Sequence, residues 1–117
     1  MPTSSLVPHR LLQDATDTDL RQLIYSQECV LVKYVDDDCT VCKTLAPHLE
    51  QFANDPRYAH ILFLRLNAAE NPVAVREVEF TKAPFVAAYR NGRLMHCETV
   101  LTEQRVEKIL QEYLLPG

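Results

Sequence analysis

The 117-residue chain has no surplus of basic residues, no long apolar run, no tryptophan and no low-complexity tract. Sixteen acidic residues against 12 basic ones give a formal charge of −4, whereas a nucleic-acid footprint needs Lys and Arg crowded on one face to displace counterions. No apolar stretch approaches the roughly 20 residues that a membrane helix requires. The opening MPTSSLVPHRLL lacks the charged segment and apolar run of an export signal. These absences predict a protein that engages neither nucleic acid nor membrane and works in the cytoplasm. No repeat or linker is visible, so a solenoid or a two-domain chain is not expected.

What is present is enough apolar material, 47% of residues, for one core. The chain reads as a single domain over 1–117, with residues 1–8 a flexible N-terminal extension. Helical and strand patterns alternate along it. Residues 9–12 (HRLL) read as a short first strand. DATDTDLRQLIYSQ then reads as a helix capped by Thr16 or Asp17, with Leu20, Leu23 and Ile24 at helical spacing, ending near Gln27. CVLVKYV (29–35) is a nearly continuous apolar run of strand length, as in a central strand covered on both faces, interrupted only by Lys33. From Thr40 to Asn54 the spacing predicts a helix bent at Pro47, with Val41, Leu45, Leu49 and Phe52 on its inner stripe. HILFLRLN (60–67) reads as a second buried strand. NPVAVREVEF reads as a short helix with Pro72 in its first turn. PFVAAYRNGRLMHCETV reads as a hairpin turning at Asn91-Gly92, which supplies the positive φ values of a tight turn. Thr102 caps a last helix that buries Val106, Ile109, Leu110 and Tyr113. The order is β-α-β-α-β-α-β-β-α: an α/β fold with a mixed sheet of about five strands between about four helices.

The chemistry concentrates in DDDCTVCK, residues 36–43. In a reducing compartment a close CxxC pair points to redox chemistry or to metal. A single pair supplies two ligands, so a metal reading needs two further ligands, as in a zinc or iron–sulfur centre shared by two chains. For redox work the position is apt: at the start of a helix, free N–H groups and the positive end of the dipole favour a thiolate. Cys39 is then the attacking sulfur, Cys42 the resolving one, and Lys43 adds a nearby cation.

These residues do not stand alone. The strand VLVKYV, the CTVCK after it, Pro47, RLNAAENP ending in Pro72, Ala83-Pro84 before a strand and RNGR at the hairpin form an ordered set. In that set the chain resembles the thioredoxin family from about residue 9 to 115. The resemblance implies a thioredoxin-like fold and a protein thiol–disulfide oxidoreductase without a bound cofactor or metal. It implies a cis peptide at Ala83-Pro84 beside the sulfurs, where the backbone of Ala83, Pro84 and Phe85 receives an extended substrate. Disulfide-containing proteins are the implied substrates, a reductase resembling thioredoxin reductase or a small thiol the electron donor, and a monomer or weak dimer the expected state.

Four positions depart from the family pattern. Asp38 replaces the Trp before the first cysteine, Thr40-Val41 replaces Gly-Pro between the cysteines, Lys33 replaces a buried Asp, and Arg65 replaces that Asp's companion Lys. The dipeptide tunes redox potential in such proteins. Two neighbouring cations in a poorly solvated place need a partner carboxylate, a deprotonated amine or an escape to solvent. Asp36, Asp37 and Asp38 are the nearest carboxylates in sequence. Lys33 is a candidate to ionise Cys42 or carry its proton, against the alternative of a charge network that only holds strand ends. The three aspartates oppose a neighbouring thiolate, or face water and select basic partners. A binding or chaperone-like module with weak redox activity is therefore the alternative function.

Cys29 and Cys97 read as small packed hydrophobes. His48 and His60 lack the i, i+4 partner of a helical metal site, and His96 points away from Cys97. Tyr34 and Phe85 flank the expected site, as core packing or as part of the substrate surface.

Overall fold

A computed structural model describes residues 12–115. The extension expected over 1–8 and all but the last residue of the strand expected over 9–12 lie outside the described residues. Within them the order is β1 (Gln13–Asp14), α1 (Asp17–Ser26), β2 (Cys29–Val35), α2 (Thr40–Ala53), a 3₁₀ turn (Pro56–Tyr58), β3 (Ile61–Asn67), α3 (Pro72–Glu77), β4 (Phe85–Arg90), β5 (Arg93–Thr99) and α4 (Glu103–Tyr113). The strands form one sheet ordered β1-β3-β2-β4-β5. β1 and β2 run parallel to β3, while β4 is antiparallel to β2 and to β5.

The period-two alternation of the central strands assigns their side chains to two cores. Cys29 and Leu31 of β2, Ile61 and Phe63 of β3, and Val86 and Ala88 of β4 face α2 and α4. Val30, Val32 and Tyr34 of β2, Leu64 and Leu66 of β3, and Phe85, Ala87 and Tyr89 of β4 face α1 and α3. Burial on both faces explains why β2 reads as an unbroken apolar run. β5, at the edge, is exposed or half-buried throughout.

Local chemistry fixes the helix ends. Thr16 precedes α1, and its N–H donates to Asp19 Oδ1 at 2.7 Å. Asp17 then accepts from the free N–H groups of Val73 and Ala74 at the start of α3 (3.1 and 2.7 Å), while Asn71 Oδ1 accepts from Asp17 N–H at 2.8 Å. Each helix start thus satisfies donors of the other. Thr102 caps α4 through Arg105 N–H at 3.2 Å.

One expected contact differs. Val41 is not on the inner stripe of α2: it is 37% exposed, while Cys42, one residue on, is buried with Leu45, Leu49 and Phe52. The inward face of a first turn is set by where β2 delivers the chain, and here it presents a sulfur to the core.

Candidate functional site

β2 ends at Val35 and α2 begins at Thr40, so Asp36–Cys39 form the connection above the carboxyl end of a central strand. In open α/β sheets that end is where ligands gather. Cys39 is the N-cap of α2, in extended backbone, and its sulfur accepts the backbone N–H of Cys42 at 3.0 Å. Cys39 and Cys42 are joined as a disulfide, with 5.2 Å between their Cα atoms. The two sulfurs are not equivalent. Cys39 is half-buried at the surface and Cys42 is 5% exposed beneath it.

A groove of about 310 Å³ opens beside Cys39, lined by Thr40, Val41, Lys82 and Ala83 and rimmed by Asp36 and Asp38. The Ala83–Pro84 peptide is cis. Ala83 stands outside the sheet ladder, which begins with Phe85 opposite Tyr34, and Pro84 is buried. Phe85 does not reach the groove with its side chain. It is 3% exposed and packs edge-on to Tyr34 and Phe80, with ring centroids 5.8 and 5.4 Å apart. Of the expected substrate contacts, Ala83 is thus at the surface, and Pro84 and Phe85 support it from below. Lys82 was missed, although its position next to Ala83-Pro84 was a usable signal.

Lys33 lies on the α2 face of the sheet, 2% exposed, and its Nζ donates to the backbone oxygen of Cys42 at 3.2 Å. The ladder sets Asp14, Arg65 and Lys33 side by side on β1, β3 and β2. Asp14 takes the Arg65 guanidinium at 2.7–2.8 Å. Burial, then the positive charge of Arg65, lowers the Lys33 amine to about 8, with Glu50 of α2 acting the other way. Of the carboxylates suggested by sequence proximity, Asp36 Oδ1 accepts the N–H of Asp37 and Asp37 Oδ1 accepts from Asn67 Nδ2, and both line a cavity that Lys33 shares. Glu50, the acid that supports the ammonium, comes two helical turns after Cys42.

Cys29, Cys97 and the described histidines make their contacts away from the pair. Cys29 and Cys97 are free thiols on strands separated by β4, and burial pushes both thiols up. His48 contacts Glu103 at 2.9 Å, His60 meets the Leu114 carbonyl, and His96 stacks on Tyr113 with centroids 4.8 Å apart. Among the described residues, no three His, Cys, Asp or Glu side chains are grouped to hold a metal, and no helix is long and apolar enough to cross a membrane.

The thioredoxin family model matches residues 11–114. The chain belongs to the thioredoxin family. A thioredoxin of Alicyclobacillus acidocaldarius subsp. acidocaldarius is 30% identical over 78 residues, covering 67% of this chain and 73% of that protein. A thioredoxin of Buchnera aphidicola subsp. Baizongia pistaciae is 29% identical over 104 residues, 86% and 94% of the two chains. Solved structures share the fold: oxidised mitochondrial thioredoxin 3 of Saccharomyces cerevisiae superposes with a TM-score of 0.80 at 22% identity, covering 86% of this chain and 94% of that one. Malassezia sympodialis thioredoxin superposes with 0.82 at 16% identity, covering 91% and 93%. Family membership and the close cysteine pair together make this a thiol–disulfide oxidoreductase in the general sense.

Proposed function

We propose that the protein reduces or exchanges disulfides in other proteins through Cys39 and Cys42. The observation that carries this reading is the asymmetry of the pair: one sulfur lies at the edge of a groove and accepts a helix N–H, and the other is buried directly behind it. In the reduced protein the Cys39 thiolate attacks a substrate sulfur, forming a mixed disulfide and releasing the other substrate sulfur as thiolate. Cys42 then attacks Cys39, closing the protein disulfide and releasing the second substrate thiolate. Two electrons pass to the substrate. Ala83 offers its backbone to an extended substrate strand, Pro84 and Phe85 hold that backbone in place, and Thr40 and Val41 shape the groove and tune the couple.

Electrons return from a reductase resembling thioredoxin reductase or from a small thiol. The unpaired thiols of Cys29 and Cys97 fit a reducing compartment such as the cytoplasm, with the protein a monomer or weak dimer. One observation favours a second reading, a groove that holds clients with little turnover: Asp38, exposed and adjacent to Cys39, opposes its thiolate.

Insulin reduction with dithiothreitol as electron source tests the first reading. Precipitation of the insulin B chain should be accelerated by the native protein and not by Cys39→Ser, while Cys42→Ser should accumulate a mixed disulfide. A native protein no faster than dithiothreitol alone, with client binding kept in Cys39→Ser, would establish the second reading instead.

A further inference from the structure

Below the redox pair, the one fully buried cation among the described residues lies against Cys42. Lys33 is 2% exposed and donates to the Cys42 backbone oxygen at 3.2 Å. A cavity of about 230 Å³ is lined by both residues, together with Val35, Ala46 and Arg65, and a second of about 180 Å³ continues past Lys33 to Asp14 and Glu50. Burying an amine is costly, and its position here sets a positive group against the backbone of a cysteine, in a cavity the two residues share, whose sulfur must become negative in order to react.

We propose that Lys33 is the positioning residue of the second half-reaction: its ammonium stabilises the Cys42 thiolate that attacks the mixed disulfide. This rests on the reading of Cys39–Cys42 as an exchanging pair. In the step, the Cys42 thiol gives its proton to solvent through the shared cavity, and the thiolate attacks Cys39 Sγ. The bond from Cys39 to the substrate sulfur breaks, the Cys39–Cys42 bond forms, and the substrate sulfur leaves with the electron pair of the broken bond.

The surroundings decide between a cation and a base. From β3, Arg65 opposes the ammonium, and Asp14 of β1, ion-paired to Arg65, tempers that opposition. From α2, Glu50 supports the ammonium and Lys43 faces the same cavity as Cys42. Asp36 and Asp37 line that cavity from the loop. With its amine at about 8, Lys33 is mostly charged at neutral pH. It then has no lone pair with which to accept a proton. It acts through charge, and the assistance fades as the solution is made more alkaline.

Reaction of the reduced protein with 5,5′-dithiobis(2-nitrobenzoate) separates the two steps. The first thionitrobenzoate is released by Cys39 and the second by Cys42; a Cys97→Ser background silences the other half-exposed thiol. In Lys33→Met and Lys33→Gln the midpoint of the pH profile for the second release should rise by about one unit, making it roughly tenfold slower at pH 7. The first release should change less than about threefold. Lys33→Arg, which keeps the charge, should recover most of the neutral rate and lose the fading of assistance above pH 8. Folded Met and Gln variants with an unchanged second-release profile would overturn the proposal and leave the oxidoreductase reading standing. Loss of the fold in both variants would make Lys33 structural and also overturn it. A native protein that releases no thionitrobenzoate would remove both readings together.

Discussion

The Cys42 N–H points at the Cys39 sulfur over 3.0 Å, a donor placed to stabilise negative charge on that sulfur once the disulfide is reduced. Working against it is Asp38, the residue before Cys39. A unit charge about 4 Å away in water is worth about 1 kcal/mol, or roughly a fivefold change in thiolate population. Asp38→Asn is therefore expected to speed alkylation of Cys39 by iodoacetamide at pH 7 a few-fold, with the gain shrinking at high salt. Equal or slower alkylation would show that the carboxylate is turned to water and has no hold on the sulfur.

Lys33 also has a thermodynamic signature, and its sign is opposite to its proposed benefit. Its amine is lowered from 10.5 to about 8 in the fold, so between those values the unfolded chain binds more protons than the folded one. Stability contributed by this group therefore rises with pH across that window. Below about pH 8 the penalty of the buried charge is fully present, up to about 3 kcal/mol. Lys33→Met is expected to stabilise the protein by about 1–3 kcal/mol at pH 7, with most of the gain gone by pH 10. Denaturant melts of the two proteins at both pH values measure this. A variant both steadier and slower in the second half-reaction would be a trade of stability for function. A variant less stable at pH 7 would mean that the contact to Cys42 outweighs the desolvation.

Glu98 joins β5 to α4 through Arg105, with Nε at 2.6 Å and Nη2 at 2.5 Å, and meets His96 at 2.6 Å. The Arg105 hydrogen bonds, aided by His96, hold its carboxyl down at about 2. A depressed acid contributes stability above its unfolded value, near 4.5, and loses it as pH falls towards 2. Solvent screening limits the contribution to about 1 kcal/mol. Glu98→Gln should be less stable than the native protein by that amount at pH 7 and indistinguishable from it near pH 2. A difference that persists at pH 2 would point to packing as its origin.

The longer strands and the helices were legible because each buries a face with its own period, and the turn at Asn91-Gly92 because its residues favour positive φ; β1 was not, since Gln13 and Asp14 are both exposed and Asp14 reads into the following helix. The cysteine pair was legible from its place at a strand-to-helix junction. The side-chain geometry around it was not. Val41 and Cys42 exchange inner and outer places because the phase of a helix's first turn depends on the incoming strand. Phe85 is a core residue because β4 directs its odd positions towards α3. The surroundings of Lys33 depend on β1 and β3 meeting beside β2, a register that brings residues 14, 33 and 65 together and leaves no trace along the chain.

At the other end of the sheet from Cys39, Tyr25 of α1 covers the hairpin turn, and a Cβ added to Gly92 would fall within its ring. Gly92 also has φ +79°, following Asn91 at +53°, the pair of positive angles that a two-residue hairpin turn demands. Gly92→Ala therefore meets two costs: about 1 kcal/mol from the left-handed backbone, and displacement of a ring that is 68% exposed and free to swing outward. The total should be about 1–2 kcal/mol. In a Tyr25→Ala background only the backbone part should remain, so the two substitutions are expected to couple. Denaturant melts of the four proteins test this, and the same cost for Gly92→Ala in both backgrounds would clear the ring of any part in it. Because the turn is remote from the groove, insulin reduction by folded Gly92→Ala should match that of the native protein, separating what holds this fold together from what it does.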